Sequence, residues 1–362
     1  MQVDEYFRMM VENRASDLFI KGGSRPSMRV DGKITFIESE ESTPDLCRDV
    51  FRRITGGEVE ERMRGKEMDL ATEMEGIGRF RVNVYHHRGQ LGFAFRHIQD
   101  QVPSMEELNL PVKQLQQLAV LRRGLVLITG VAGSGKSTTI ASMLEYINQT
   151  RNAHVVTVED PIEFVFENKQ SLFNQREVGI DTKDFVEALR QVVRQAPDVI
   201  LIGEMRDRET MEAAISAAET GHLVFSTLHT VNAIQTVERI ITFFPPHQHD
   251  LIRLQLSMVL QGVLSQRLLP KREGQGRVPA IEIMISSPTI KDILAEGRTN
   301  ELYKAIQEGD YYGNMTFNQS LKRLYESGLI SLEEAMSAAD NPDELKLEIR
   351  GIQRGTRATD AQ

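Results

Sequence analysis

The stretch GVAGSGKSTT, residues 130–139, constrains the fold of this chain more than any other segment. It follows the apolar run LVLIT and matches the pattern G-x-x-x-x-G-K-[ST] at Gly130, Gly135, Lys136 and Ser137. In this pattern, glycines let backbone N–H groups curl around a phosphate at the start of a helix, where the helix dipole favours negative charge. The lysine supplies a positive charge to the β- and γ-phosphate oxygens, and the serine hydroxyl is available to Mg²⁺. Because a strand precedes the loop and a helix follows it, we predict a nucleoside triphosphate site rather than a chance Gly/Ser turn.

The rest of the second half of the chain alternates short apolar runs with helical patterns. The runs lie at 125–129, 154–158, 198–203 and 222–228, and the helical stretches between them lie at 137–148, 184–194 and 209–220. This alternation predicts an α/β fold with a mostly parallel sheet covered on both faces. From Pro246 onward the pattern predicts mainly helices, including the stretch at 247–269.

The first hundred residues have a different, α+β pattern. Helical spacing begins at Val3, alternating residues flank a two-residue turn at Asp31-Gly32, and a longer hairpin is predicted at 79–98. In that hairpin the apolar residues of each strand share one face, while Arg81 and Arg96 lie on the other. The boundaries that we predict are an N-terminal domain at 1–100, a linker at 101–123, an ATPase domain at 124–350 and a flexible tail at 351–362.

Acidic residues and histidines follow several of the predicted parallel strands. Glu204 comes after the run at 198–203, and Glu159, Asp160 and Glu163 follow the run at 154–158. The carboxyl ends of strands line the ligand crevice of an open α/β sheet, so these acids are predicted to manage the metal at the phosphate site. His222 and His229 bracket the last run. For His229, a γ-phosphate contact and a structural role both remain open.

The composition restricts the possible partners. A net charge of −9, no tryptophan and 6% aromatic residues give no stacking surface for a nucleic-acid motor. Cys47 is the only cysteine, so neither an intrachain disulfide nor a four-cysteine zinc site can form. The first residues contain no apolar run typical of a secretory signal, and nowhere do 18 apolar residues follow one another. We therefore expect a cytosolic chain with no direct membrane insertion, whose membrane role depends on partners.

Four segments, taken in order, resemble the motifs of a known family. GVAGSGKST, VEDPIEF, ILIGEMRDRET and TGHLVFSTLHT are similar to the Walker A, Asp box, Walker B and His box of the type II/IV secretion ATPases. Further segments resemble the pilus-retraction branch, PilT and PilU: ASDLFIKGGSRPSMRVDGKI, GRFRVNVY, NQREVGIDT and RQAPDVILIGE. The resemblance covers roughly residues 3 to 350 and implies a RecA-like P-loop core with an N-terminal PAS-like domain.

Three features place the chain within that family. Extension and secretion members usually carry a cysteine-rich metal motif and extra N-terminal domains, which one cysteine and a short N-terminus argue against. Phe19 stands where PilT often has histidine, and SPTIKDILAEGR at 287–298 fits the "AIRNLIRE"-type motif of PilT only loosely. These departures favour an accessory, PilU-like member over the principal retraction motor.

The resemblance also implies a role for residues of each box. Phosphates and Mg²⁺ would be held by the loop residues Gly130, Gly133, Ser134, Gly135, Lys136, Ser137 and Thr138. Glu163, the last acid of the Asp box, would orient the attacking water. Glu204 would act through the metal shell, so that Ser137 and Glu204 would be the Mg²⁺ ligands, and His229 would sense or contact the γ-phosphate.

Arg81 and Arg96 match arginines of the N-terminal domain that reach the nucleotide when the domains close. The resemblance implies that they stabilise transferred charge as arginine fingers do. The alternative is that both are solvated surface residues, as most arginines are.

As a whole, the resemblance implies a homo-hexameric ring with ATP between subunits. Such a ring would drive type IV pilus retraction through an inner-membrane, PilC-like platform protein, with a second, PilT-like retraction ATPase as a further partner. It would be cytoplasmic and peripherally associated with the inner membrane at the pilus base. Two alternatives stay open: a ring protein that binds ATP with little turnover of its own, and a pilus-extension or type II secretion ATPase.

Overall fold

The computed structural model describes residues 3–13, 15–30, 32–56, 67–98, 101–273 and 276–350. It divides into two compact units, Met1–Gln101 with Glu163–Val165, and Val102–Ile162 with Phe166–Gln362. The flexible tail predicted at 351–362 lies outside the described residues.

The first unit is a six-stranded antiparallel sheet with two helices. Its elements are α1 (Val3–Glu12), β1 (Asp17–Lys21), β2 (Ser27–Val30), β3 (Lys33–Phe36), α2 (Pro44–Thr55), β4 (Met68–Met74), β5 (Gly78–His87) and β6 (Gln90–Ile98). The strand order is β3-β2-β1-β6-β5-β4. β2 and β3 pair through Val30 and Lys33, which leaves the two-residue connection that the sequence predicts. Gly32 has a φ of 79°, as such a turn requires, and Asp31 lies outside the described residues.

The long hairpin β5–β6 has the two faces that its alternation predicts. Phe80, Val82 and Val84 of β5 are fully buried, together with Phe93 of β6. Phe7 of α1 packs against this face, with its ring centroid 4.8 Å from that of Phe80. The predicted apolar face is therefore confirmed, and it forms the core of the first unit.

The second unit is a three-layer α/β structure. Its elements are α3 (Val112–Ala119), β7 (Gly124–Thr129), α4 (Lys136–Thr150), β8 (His154–Glu159), β9 (Leu172–Glu177), α5 (Phe185–Val192), β10 (Val199–Ile202), α6 (Arg208–Glu219), β11 (Leu223–Leu228), α7 (Ala233–Thr242), α8 (His249–Val259), β12 (Leu260–Pro270), β13 (Arg277–Ile285), α9 (Pro288–Glu296), α10 (Leu302–Gln307), α11 (Phe317–Glu326), α12 (Leu332–Ala338) and α13 (Pro342–Ile349). The seven strands run in the order β13-β12-β7-β11-β10-β8-β9. All neighbours are parallel except the edge pair β12–β13, so the predicted α/β class is confirmed.

The helical prediction from Pro246 onward is wrong at β12 and β13. Leu260, Val263 and Leu264 have the spacing of a helix face, but they are buried in a strand that pairs with β7 on one side and β13 on the other. A strand covered on both faces lacks the period-2 alternation that would reveal it. At Gly262 an added Cβ would lie 2.9 Å from the Leu118 side chain, so helix α3 packs directly against this strand.

Strands β1, β4 and β9 and helices α3 and α7 were not predicted either. β4 extends the first sheet beyond β5, and β9 extends the second beyond β8. Within the segment expected to be a linker, Val112–Ala119 forms α3 with Leu115 and Leu118 buried. These elements lack the long apolar runs on which the sequence predictions depended.

Replacing Phe7 with alanine tests the packing of the first unit. Phe7→Ala removes a fully buried ring and should lower the free energy of opening of β5 and β6 by about 3–5 kcal/mol. Native-state hydrogen exchange of the β5 and β6 amides measures this quantity. Phe36→Ala is the matched control, because Phe36 is 61% exposed and its removal should change the same quantity by less than about 0.5 kcal/mol. Equal effects of the two variants would contradict the packing described.

Candidate nucleotide site

The site forms where neighbouring parallel strands of the second unit end. β8, β10, β11 and β7 are consecutive neighbours, and all four run in the same direction. Their carboxyl ends therefore share one edge of the sheet, which is where open α/β sheets bind ligands. The loop at Gly130, the Glu204 segment and the His229 segment all leave this edge.

The backbone of the phosphate loop depends on glycine. Gly130, Gly133 and Gly135 have φ values of 143°, 76° and 89°, which L-residues with a Cβ rarely adopt. A Cβ on Gly130 would also lie 2.5 Å from the Gln266 carbonyl oxygen and 2.6 Å from Ser134 Oγ. The loop passes directly into α4, so its N–H groups lie at the positive end of that helix.

Two side chains of the loop are suited to an anion. Ser134 Oγ is buried and finds no hydrogen-bond partner among the described residues. Lys136 is 9% exposed, and its Nζ donates to the carbonyls of Gly130 and Val131 at 2.8 and 3.1 Å. A buried hydroxyl with unused capacity and an ammonium folded over the loop fit a phosphate group. Ser137 and Thr138 follow in the first turn of α4, where both are half-buried.

Glu204 and His229 form one cluster beside the loop. His229 Nε2 lies 3.1 Å from Glu204 Oε1, and Arg206 donates to Glu204 Oε2 at 2.8 Å. Together with Arg239 and Phe243, they line a cavity of about 310 Å³. The Arg239 guanidinium lies 4.7 Å from the Phe243 ring centroid, which keeps a second arginine at this cavity.

His222 does not belong to this cluster. It precedes β11, at the end opposite His229, and its Nδ1 lies 2.9 Å from the Ala217 carbonyl oxygen. Of the two histidines that bracket the strand, only His229 lies at the carboxyl edge. Its pairing with Glu204 supports His229, rather than His222, as the candidate site histidine.

The Asp box has two exposed acids, and a buried acid of β9 anchors its backbone. Glu177 of β9 is 7% exposed and accepts the Ile162 N–H at 3.2 Å. Glu159 accepts the Thr157 hydroxyl at 2.6 Å and is half-buried. Asp160 and Glu163 are both exposed, so water reaches both of these acids.

The predicted arginines lie in the first unit. Arg81 and Arg96 are cross-strand partners in β5 and β6. The Arg96 guanidinium donates to Asp17 Oδ1 at 3.0–3.1 Å, and Arg29 Nε donates to Asp17 Oδ2 at 3.1 Å. Arg96 therefore has a carboxylate partner within its own unit.

No group of three or more His, Cys, Asp or Glu side chains suited to a metal occurs in the part of the chain that the structure describes. A magnesium ion at a nucleotide uses few protein ligands, since phosphates and water complete its shell. The Ser137 hydroxyl and the Glu204 carboxylate fit that pattern.

The sequence did not reveal the contribution of β12. The Gln266 carbonyl oxygen lies against Gly130, and Gln266 Oε1 accepts the Thr139 hydroxyl of α4 at 2.9 Å. Gln266 thus contacts both the loop and the helix that follows it. Because this stretch was predicted to be a helix, nothing in the sequence indicated that Gln266 contacts the phosphate loop.

Replacing the loop lysine tests the site. Lys136→Ala removes a charge-assisted contact, which contributes about 1.5–3 kcal/mol, so the affinity for a fluorescent ATP analogue should fall at least about tenfold. Lys304→Ala is the matched control, because the Lys304 side chain is 75% exposed on α10. Unchanged affinity in Lys136→Ala would show that the nucleotide binds elsewhere.

Comparison with known proteins gives a consistent result over both units. Residues 2–337 match the family described as type II/IV secretion system protein. The type IV pilus ATPase PilU of Pseudomonas aeruginosa is 40% identical over 354 residues, covering 97% of this chain and 92% of the relative. The retraction ATPase PilT of the same organism is 43% identical, covering 95% and 99%.

A solved structure extends the comparison to the fold. The crystal structure of the pilus retraction motor PilT with bound ADP superposes with a TM-score of 0.88 at 44% identity, covering 96% of this chain and 99% of that one. The Legionella pneumophila ATPase DotB gives 0.78 at 29% identity, with coverage of 96% and 95%. Among the described residues, none of the helices has the length and apolar character needed to cross a membrane. The chain therefore belongs to the type II/IV secretion family, in its PilT/PilU branch, and is a nucleotide-binding ATPase of the type IV pilus motor class.

Proposed function

We propose that this ATPase couples ATP hydrolysis to the retraction and disassembly of type IV pili. The observation that carries the proposal is the near-complete structural likeness to a pilus retraction motor, with a TM-score of 0.88 over 96% of the chain. The likeness covers more than the P-loop, which many unrelated ATPases share. A type II secretion protein E of Xanthomonas campestris is 35% identical, but this chain covers only 46% of it.

Binding of the triphosphate begins at the phosphate loop. The Lys136 ammonium, now bonded to the loop carbonyls, would turn to the β- and γ-phosphate oxygens, while the Ser134 hydroxyl and the backbone N–H groups would donate hydrogen bonds to the other phosphate oxygens. Ser137 and Glu204 would hold Mg²⁺, with Thr138 beside them. Bound Mg²⁺ neutralises phosphate charge and polarises the γ-phosphoryl group.

Hydrolysis then needs an oriented water. Glu163 is the proposed residue for this role, because it is the last acid of the Asp box and its side chain is open to water. His229 would contact the γ-phosphate, and its pairing with Glu204 at 3.1 Å fixes the orientation of the imidazole. Arg81 and Arg96 would stabilise the developing charge, as arginine fingers do by about 10³–10⁵ in rate.

Loss of the γ-phosphate would be the step that produces motion. Its release would remove the ligand that the phosphate loop and His229 hold, and the proposed ring would change shape. In the proposed assembly six copies form a ring on the cytoplasmic side of the inner membrane and act on a PilC-like platform protein. A PilT-like ATPase is the proposed second partner.

An accessory role is the second candidate function. Its support is the departure from the PilT motifs at Phe19 and at 287–298, since the PilU and PilT relatives are similarly identical to this chain, at 40% and 43%. An accessory ring would bind ATP and depend on its partner for turnover or for force. Hydrolysis by the purified chain separates this candidate from an independent motor.

The decisive variant is Glu163→Gln, which keeps the shape of the side chain and removes its basicity. Steady-state phosphate release with Mg-ATP should fall by about 10²–10⁴. Glu167→Gln, at a neighbouring exposed acid, is the control and should retain the wild-type rate. Equal rates in both variants would mean that another acid orients the water, and no hydrolysis by the wild type would favour the accessory role.

Cells lacking the gene test the direction of force. Retraction predicts that such cells keep surface pili and lose twitching, which electron microscopy and a motility assay record. A loss of pili would instead indicate extension. A complementing Lys136→Ala gene should fail to restore twitching, because its product lacks the loop ammonium.

A further inference from the structure

Glu282 is a buried acid that neither the motifs nor the proposed chemistry use. It lies in β13, opposite Ser265 of β12, and is 3% exposed. An acid at this depth needs hydrogen-bond donors, since an unpaired buried charge is strongly unfavourable. Its donors come from two other parts of the nucleotide site.

The first donor is a helix terminus. The Ala233 N–H, at the first residue of α7, donates to Glu282 Oε1 at 2.7 Å. Such N–H groups have no partner within their own helix. Ala233 follows His229 by four residues, so this bond fixes the far end of the His229 segment.

That segment is short and held along its length. Asn232 caps α7 by accepting the Gln235 N–H at 2.8 Å, and the Thr236 hydroxyl donates to the Asn232 carbonyl at 2.7 Å. Thr230 Oγ1 lies 2.7 Å from Thr236 Oγ1. A shift of α7 at Ala233 would therefore be passed to residues next to His229.

The second donor is the hydroxyl of Ser265, which in turn accepts a hydrogen bond from Thr129. The Thr129 hydroxyl donates to Ser265 Oγ at 3.0 Å, and Ser265 lies directly opposite Glu282 in the β12–β13 pair, where its hydroxyl favours the ionised carboxylate. Thr129 ends β7 and immediately precedes Gly130 of the phosphate loop. Ser265 thus stands between Glu282 and the base of the phosphate loop.

We propose that Glu282 is a positioning residue of the ATPase, which keeps the phosphate loop and the His229 segment in one fixed arrangement through Ser265 and Ala233. An ionised carboxylate accepts from both donors at once. A protonated carboxyl carries an O–H on one of its two oxygens, and that oxygen is a poor acceptor. Protonation therefore weakens one of the two hydrogen bonds. The inference depends on the ATPase activity and is independent of the direction of force.

The charges around Glu282 make its ionisation relevant near neutral pH. Burial raises the pKa of Glu282 to about 7, although the Ala233 N–H and the Ser265 hydroxyl favour the ionised form. Asp340 raises this pKa further, and Arg267 lowers it. Arg267 itself is bonded to Asp340 at 2.5 Å, which reduces its effect on Glu282.

The test is Glu282→Gln, which preserves the volume of the side chain and keeps an oxygen that accepts the Ala233 N–H. The amide NH2 group of the glutamine then faces Ser265, and it donates where the carboxylate accepted. We expect kcat for Mg-ATP to fall about tenfold or more, with KM changed less than threefold, because the contacts to ATP itself remain. Wild-type kcat should rise with pH through about 7, and the variant should lose that rise. Glu308→Gln, at an acid of which the side chain is 67% exposed, should leave both parameters unchanged.

Ser265→Ala provides a second variant that leaves Glu282 in place. It removes the hydroxyl between Thr129 and Glu282 and keeps the Ala233 bond to Glu282, so its effect on kcat and that of Glu282→Gln should be less than additive when combined. Additive effects, or a kcat–pH profile in Glu282→Gln identical to that of the wild type, would overturn the proposal. A Glu282→Gln variant with a lower melting temperature and unchanged kcat and KM would likewise show that Glu282 has a structural role only.

The stability of the two proteins gives a readout that does not require turnover. An unfolded glutamate loses its proton near pH 4.5, whereas folded Glu282 keeps it to about pH 7. Wild-type stability should therefore fall relative to Glu282→Gln as pH rises between these values. A melting-temperature difference that stays constant from pH 4.5 to 8 would contradict titration of this carboxyl within the network.

Discussion

The nucleotide site depends on the common carboxyl edge of four parallel strands. Backbone hydrogen bonds continue past the ends of these strands, from Gly203 N–H to the Val158 carbonyl at 2.8 Å and from Gly130 N–H to the Leu228 carbonyl at 3.3 Å. The bases of the site loops are thereby tied to each other before any ligand is present. Because the loops start from fixed points, short segments suffice to bring the lysine, the acids and the histidine to one place.

The local parts of this arrangement could be predicted from the sequence. Glycine spacing in the phosphate loop reflects backbone conformations that other residues rarely adopt, and the structure has all three glycines at positive φ. The apolar runs of β7, β8, β10 and β11 reflect burial on both faces, and the alternating residues of β5 and β6 reflect burial on one. In each case the signal lies within about ten residues of the feature that it predicts.

The non-local parts could not be predicted, for a physical reason. Thr129 and Ser265 are 136 residues apart, and Asp17 and Arg96 are 79 apart, so no spacing rule relates them. β12 carries a periodicity that suits a helix, and only its pairing with β7 and β13 makes it a strand. Gln266, Ser265 and Glu282 all belong to this strand pair, which is why the sequence left the support of the phosphate loop unassigned.

The pairing of Asp17 with two arginines has an energetic consequence for the first unit. Asp17 is 8% exposed, so its carboxylate would be an unpaired buried charge if no arginine were bonded to it. With Arg29 bonded to one carboxylate oxygen and Arg96 to the other, either cation can depart while the other still neutralises the acid. Of the two, Arg96 is the more hydrated, with 68% of its side chain exposed against 39% for Arg29. Arg29 would therefore still pair with Asp17 if the more exposed Arg96 guanidinium turned away from it.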